Sequence, residues 1–377
     1  MRAVARCGLQ IIKVSQNRRM AMTNRENFFS LIRRQGYEYV PVEFHLCPSL
    51  EKEFRERTGS DDYEEYFQFP WRYIEDIRLP GHDVEQYRRY YKKPLAEGAE
   101  IDLWGVGHET SPHSMHMTYM RHPLEDAETL EEIMEYPYPD FEHGEKDHQK
   151  EQVKKIKERD LIAVGNMQTT IWETAWYLRG MENLFCDMME EDEIAVYLLD
   201  KITELAKIRA KAYVEAGADV IYLGDDIGMQ HTIMMSEDLY CTWLKPRLTD
   251  IISYIKSLNP DVIVFYHSCG FIEPLIPHLI DAGVDVLNPI QSECMDFGEI
   301  CEKYGDKISF HGTIGTQTVM PHGTPEEVIA EVHKNLDIAG TKGGLMVAPT
   351  HLLEPEVPFE NVLAYVEACR TYQKKEQ

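Results

Sequence analysis

Short apolar runs of five or six residues alternate along the chain with longer segments whose apolar residues recur every three or four positions. The first kind reads as a strand buried on both faces, the second as an amphipathic helix. Runs at 40–44 (VPVEF), 101–105 (IDLWG), 162–167 (IAVGNM), 219–223 (DVIYL), 262–266 (VIVFY), 285–289 (DVLNP), 308–312 (ISFHG) and 344–348 (GLMVA) predict eight strands. Helical spacing predicts helices over 24–35, 51–58, 125–135, 147–160, 173–189, 193–216, 236–257, 273–282, 297–304, 324–339 and 361–374. Several of these stop at a glycine, among them Gly36, Gly217, Gly283 and Gly305, as helix C-termini do. Thr324 as cap, Pro325 at the first helical position and Glu327 three residues after the cap mark one helix start. Residues 60–78 are rich in aromatics without clean periodicity and read as an N-terminal layer packed on the rest, or as a lid.

From 161 onward strand and helix alternate evenly, and no glycine-rich dinucleotide fingerprint follows any strand. That combination predicts a single α/β domain over 23–377, a closed (β/α)8 TIM barrel with an N-terminal helical extension, rather than an open nucleotide-binding sheet. Residues 1–22 are basic and patternless and are expected to be a disordered or mis-called extension, with Met1, Met20 and Met22 as alternative starts.

In such a barrel the C-terminal strand ends converge on one face, where catalysis takes place. Seven of the eight ends carry hydrogen-bonding side chains: Glu43 and His45; Asn166 and Gln168; Asp225, Asp226 and Gln230; His267 and Cys269; Asn288 and Gln291; His311 and Gln317; and His351. In the stretch 262–270 (VIVFYHSCG), His267 and Cys269 stand two residues apart on extended backbone and so face the same side. An imidazole and a thiolate suit a borderline-soft ion such as zinc. His351 makes a third ligand, leaving an open fourth position. Asp225 and Asp226 read as a ligand, a general base, an orienting partner or a helix cap. His108, His113 and His116 in 107–120 have no acid or cysteine at a fixed interval and read as an exposed loop.

Composition narrows the partners. Thirty-nine Lys and Arg against 65 Asp and Glu leave a formal net charge of −26, which argues against nucleic acid and anionic lipid. Eight scattered cysteines without framework spacing or a preceding secretory segment are what a chain in a reducing compartment is expected to carry, so a cytoplasmic location is the expectation. No apolar run is long enough to span a membrane.

Three segments resemble the uroporphyrinogen decarboxylase superfamily: HSCGFIEPLIPHLIDAGVDVLNPIQ (267–291), HGTIGTQTVMPHGTPEEV (311–328) and GGLMVAPTHLLEPEVPFEN (343–361). YLGDDIGMQ (222–230) and AWYLRGMENL (175–184) are similar as well. The resemblance implies a (β/α)8 barrel and one of two chemistries. The decarboxylases are metal-free and grip a tetrapyrrole through an arginine-rich N-terminal motif, whereas this chain has VPVEFHLCPSL at 40–50. The other branch, the corrinoid- or cobalamin-dependent methyltransferases, holds zinc with a His-x-Cys pair and a later Cys. His267 and Cys269 match that pair, and Thr350–His351 stands where the later Cys falls. Gly315 occupies a position where many relatives show Asp.

The resemblance implies a zinc-dependent methyltransferase that moves a methyl group between a small donor or thiol acceptor and a corrinoid on a separate protein. His267, Cys269 and His351 are the expected metal ligands, and Asp225, Glu43 and His45 the catalytic groups. Asn166, Gln168, Asp226, Gln230, Gln291, His311 and Gln317 are expected to bind substrate. The alternative is a metal-independent decarboxylase of a small carboxylic acid; a non-catalytic ligand-binding barrel is a third reading.

Overall fold

The computed structural model describes residues 21–110 and 118–374. The proposed extension through residue 20, together with His113 and His116, lies outside the described residues.

Seven parallel strands form one curled sheet. Its first strand is β1 (Trp71–Ile74). A separate antiparallel sheet follows in the chain, made of β2 (Glu100–Ile101), β3 (Gly107–Thr110) and β4 (Thr118–Arg121). The main sheet continues with β5 (Ile162–Met167), β6 (Val220–Gly224), β7 (Ile263–His267), β8 (Val286–Asn288), β9 (Ser309–His311) and β10 (Leu345–Met346). The hydrogen-bonded order is β1-β5-β6-β7-β8-β9-β10, every neighbouring pair parallel. This is the βα order of a TIM-type barrel.

Two expected strands require correction. Residues 101–105 lie in no barrel strand: Ile101 pairs antiparallel with Gly107 in the side sheet. The place beside β5 belongs to Trp71–Ile74, inside the aromatic stretch read as a packing layer or lid. Residues 40–44 form no strand and join no ladder. They fill the seam between β10 and β1 through side chains. The Tyr365 hydroxyl donates to both Glu43 O and Val347 O at 3.0 Å, and Leu46 bridges to Leu353. On the other side Phe44 meets Phe69 edge-on at 5.0 Å and His45 stacks on Tyr73 at 6.1 Å. Seven laced strands and one wedged segment thus complete the circuit.

Helices stop at Gly217, Gly283 and Gly305 as predicted, but the first ends at Ile32, short of Gly36, and the 125–135 segment is helical only over Leu130–Met134; two helices expected to be continuous are broken. The 173–189 segment divides into Trp172–Arg179 and Met181–Met189 at Gly180, whose φ is +82°. The 236–257 segment divides into Glu237–Trp243 and Lys245–Leu258, with Pro246 in the first turn of the second. Thr324 closes a reciprocal capping box with Glu327, as read from sequence.

The helix Asn24–Ile32 closes the N-terminal end of the barrel. Phe28 is fully buried, stacked 6.5 Å from Phe265 on β7 and edge-on to Trp71 on β1 at 6.2 Å. Burying such a ring contributes about 2–3 kcal/mol. Arg25 clamps the same helix by a two-point contact with Asp219, just before β6, at 2.5 and 2.8 Å. Asp219 also accepts from Ala163 N and meets Lys157 at 3.1 Å. With the bottom plugged, the polar strand ends sit at the opposite mouth.

Candidate metal centre

β7 ends on His267, and the chain then turns through Ser268, Cys269 and Gly270. The turn is packed backbone against backbone. Gly270 has φ +86°, and a Cβ there would come within 2.7 Å of Gly228 C; one on Gly228 would lie 2.6 Å from Cys269 O. A Cβ on Gly224 would meet His267 Cβ at 2.6 Å. These glycines let the β6 and β7 loops touch, which brings Asp226 to the His-x-Cys pair. The Cys269 N–H donates to Asp226 Oδ1 at 2.7 Å, and Ile227 N–H donates to Ser268 Oγ at 3.1 Å.

Asp226, His267 and Cys269 each offer a ligand atom, and all three atoms lie within 4.8 Å of one another. His267 Nε2 is 3.5 Å from Cys269 Sγ and 3.5 Å from Asp226 Oδ1. A tetrahedral zinc with ordinary Zn–N, Zn–O and Zn–S lengths separates such ligands by about 3.4–3.6 Å. Charge fits as well. Burial pushes the Cys269 thiol well up, and the Asp226 and Glu173 carboxylates push it further. A dication between them reverses that repulsion. Burial also lowers the His267 pKa, against the pull of Asp226 and Asn288, which favours the neutral imidazole a metal needs.

His351, the expected third ligand, lies outside this group. Its side chain is exposed on the loop after β10, three strand positions around the barrel from β7, although its charge contributes to lowering the His267 pKa. Asp226, expected to contact substrate, takes the third place in the cluster.

A buried hydrogen-bond chain backs His267. His267 Nδ1 is 2.6 Å from Asn288 Oδ1, and Asn288 Nδ2 is 2.7 Å from His311 Nδ1 and 3.1 Å from the His311 carbonyl. His311 Nε2 is 3.1 Å from Glu43 Oε2. The other Glu43 oxygen lies 3.1 Å from His45 Nε2, close enough for attraction, yet it makes no hydrogen bond. Burial raises the Glu43 pKa, but His45 and His311 outweigh it and hold the carboxyl below its ordinary value. Trp71, Tyr222 and Phe265 surround His311 with rings 5.3–6.5 Å away.

Asp225 faces away from this chain. Its oxygens accept from Ile171 N at 3.0 and 3.1 Å and from Glu173 N at 2.9 Å, capping the helix that follows β5. Burial and Glu173 raise its pKa while those N–H donors oppose the rise. Glu173, missed as a candidate, accepts from Asp226 N at 3.1 Å and from the Tyr177 hydroxyl at 2.7 Å. Burial, with Asp226 adding, pushes it up to about 7. The available signal was a carboxylate in the first turn after a barrel strand, a turn that points at the mouth.

The remaining candidates brace the rim. Gln291 accepts from Gly270 N at 2.9 Å. Asn166 accepts from Gln168 N at 3.2 Å. Gln317 reaches Gln230 across the mouth at 3.4 Å.

A curled parallel sheet with a His-Cys-Asp cluster at its strand ends defines a barrel protein with a candidate metal site at its mouth. The uroporphyrinogen decarboxylase (URO-D) family model matches residues 103–372, and the chain belongs to that family. Methylcobamide:CoM methyltransferase MtaA of Methanosarcina barkeri is 26% identical over 226 residues, covering 59% of this chain and 62% of that relative. Methylcobamide:CoM methyltransferase MtbA of Methanosarcina acetivorans is 22% identical over 353 residues, 93% of this chain and 98% of its own length. A uroporphyrinogen decarboxylase of Pelodictyon phaeoclathratiforme is 29% identical over 185 residues, 48% of this chain and 50% of that one. The chain therefore spans about three fifths of the length of MtaA and half that of the decarboxylase. A solved methyltransferase from Methanosarcina mazei shares the fold, with a TM-score of 0.62 at 20% identity, covering 92% of this chain and 98% of its own. Among the described residues no helix is long and apolar enough to cross a membrane.

Proposed function

We propose that the chain is a zinc-dependent methyltransferase that moves a methyl group between a protein-held corrinoid and a small thiol or other small carrier. The observation that supports this reading most is the sulfur, nitrogen and oxygen donor set of Cys269, His267 and Asp226, spaced at 3.5 Å about His267 Nε2. Three protein ligands leave a four-coordinate zinc one position for substrate, the catalytic rather than structural pattern. Bound there, zinc lowers the pKa of a thiol and so supplies the nucleophile.

The chain's own residues do the rest. Asp226 anchors the Cys269 turn through its backbone N–H and faces the same centre. Glu173 steadies Asp226 from behind, and Asp225 fixes the helix that carries Glu173. His45, on the wedged segment, flanks the mouth where substrate enters, with the buried Glu43 carboxylate behind it. Asn166, Gln168, Gln230, Gln291 and Gln317 offer neutral hydrogen-bonding groups around it. His351 approaches from the opposite rim as a further contact for metal or substrate. The name of MtaA supports a corrinoid methyl donor.

The deciding experiment pairs elemental analysis with methylcobalamin demethylation, followed by visible absorption in the presence of a panel of small thiols. About one zinc per chain and demethylation lost in Cys269→Ser support the reading. A protein that contains no metal and takes up none on zinc titration overturns it and favours the decarboxylase alternative.

A further inference from the structure

The chain from His267 to Glu43 has a direction, and one carbonyl sets it. Asn288 Nδ2 lies 3.1 Å from the His311 carbonyl, which only accepts. The nitrogen side of the Asn288 amide must therefore face His311, and its oxygen must face His267. The two amide hydrogens are then assigned, one to the His311 carbonyl and one to His311 Nδ1 at 2.7 Å. His311 Nδ1 is the acceptor, so its proton sits on Nε2 and points to Glu43 Oε2, 3.1 Å away. On the other side Asn288 Oδ1 accepts from His267 Nδ1 at 2.6 Å. The proton of a neutral His267 is thereby placed on Nδ1, and the lone pair on Nε2 faces Cys269 and Asp226.

We infer that Asn288 is a positioning residue that holds His267 in its Nδ1–H tautomer, with His311 and Glu43 fixing the orientation of Asn288, so that Nε2 is presented ready to ligate. Asn288 is 5% exposed, His311 4% and Glu43 2%, so water does not compete for these bonds. Each link is polarised by the next and ends on a carboxylate held in its charged form, which increases electron density at His267 Nε2. A ligating histidine commonly needs such a partner on its second nitrogen. Here the partner is a neutral amide, and the carboxylate stands two residues further back. The effect on metal binding rests on the reading of the cluster as a zinc site; the tautomer does not.

Histidine-labelled, metal-free protein tests the tautomer directly. Long-range 1H–15N correlation spectra, with the His267 signals assigned by their loss in His267→Gln, are expected to show Nδ1 protonated and Nε2 bare at neutral pH. Asn288→Leu removes the acceptor, and its His267 signals are expected to move toward the Nε2–H pattern of free imidazole. Its zinc affinity, measured by chelator competition, is expected to fall about 10–100-fold. Asn288→Asp keeps an acceptor for His267 and is expected to retain the Nδ1–H pattern and bind zinc within about 3-fold of the parent protein. An Nε2–H pattern in the parent protein overturns the inference whether or not the variants fold. So does a folded Asn288→Leu protein that binds zinc as tightly as the parent. An Nδ1–H pattern in a protein that takes up no zinc upholds the tautomer assignment and overturns the zinc reading alone.

Discussion

Asp226 Oδ1 accepts the backbone N–H of Cys269 at 2.7 Å and at the same time faces His267 Nε2 at 3.5 Å. One carboxylate thus shapes the turn that presents the thiol and adds a negative charge to the donor set. The two roles separate by substitution. Asp226→Asn keeps an acceptor for Cys269 and loses the charge, so its unfolding free energy is expected to stay within about 1 kcal/mol of the parent while zinc binding weakens about 10-fold or more. Asp226→Ala loses both roles and is expected to be less stable as well. Urea unfolding and chelator competition on the two variants check this; equal zinc affinity in Asp226→Asn and the parent removes Asp226 from the centre.

The glycine at the end of β6 is fixed by space. A Cβ on Gly224 would lie 2.6 Å from His267 Cβ and 2.7 Å from its carbonyl oxygen, which belongs to backbone that cannot swing aside. Gly224→Ala is expected to cost about 1–3 kcal/mol and to weaken zinc binding by displacing His267. A denaturation midpoint unchanged from the parent would show that the loop yields freely.

The clamp beneath the barrel carries a pH signature. Burial raises the Asp219 pKa, but Arg25, the Ala163 N–H and Lys157 lower it by more, so the folded-state value lies below the ordinary 3.8. A depressed carboxyl contributes stability that is fully present above its unfolded pKa and is lost as pH falls through the folded value. Stability is therefore expected to fall as the solution is acidified below about pH 4, and Asp219→Asn is expected to lose part of that acid sensitivity. At pH 7 the same substitution removes the charge that Arg25 and Lys157 face, at a cost of about 1–3 kcal/mol. Unfolding measured at pH 7 and pH 3.5 distinguishes the two effects; identical pH dependence in both proteins would assign the acid sensitivity elsewhere.

Phe28 offers a control at the far end of the barrel. Its ring fills the floor between Trp71 and Phe265, the aromatics that flank His311, and touches none of the three donors directly. Phe28→Ala is expected to lose about 3–5 kcal/mol while zinc affinity in the folded protein remains within about 2-fold. A large loss of affinity without loss of stability would contradict this separation of floor from mouth.

The second half of the barrel was legible because its strands are continuous apolar runs bounded by glycine-ended helices. The first half was not. Trp71–Ile74 is four residues long and includes Arg72, so nothing in its pattern distinguishes it from the aromatic stretch around it. Residues 101–105 have strand composition, yet Ile101 is spent on a two-residue pairing outside the barrel. At the site, spacing two residues apart on one strand identified His267 and Cys269 as neighbours. Their third neighbour came from an adjacent strand, and sequence does not state which of several loop carboxylates points inward. Asp226 and Asp225 are adjacent in the chain and face opposite ways; only the glycine-mediated contact of two loops decides which one meets the cysteine.

The segment wedged between β10 and β1 has a consequence for how such a barrel can diversify. Neighbouring staves of the laced sheet are locked in step, because a shift of one residue turns every inward side chain outward. Residues 40–44 are held by a tyrosine hydroxyl, aromatic contacts and a bridge at Leu46, so although they are buried their place is set by packing and not by the register of a ladder. Glu43 and His45 ride on that unlaced stave. Glu43 is committed to the His311 chain, so half-buried His45 is the position on that stave where the mouth can change while the donor-bearing strands opposite remain in register.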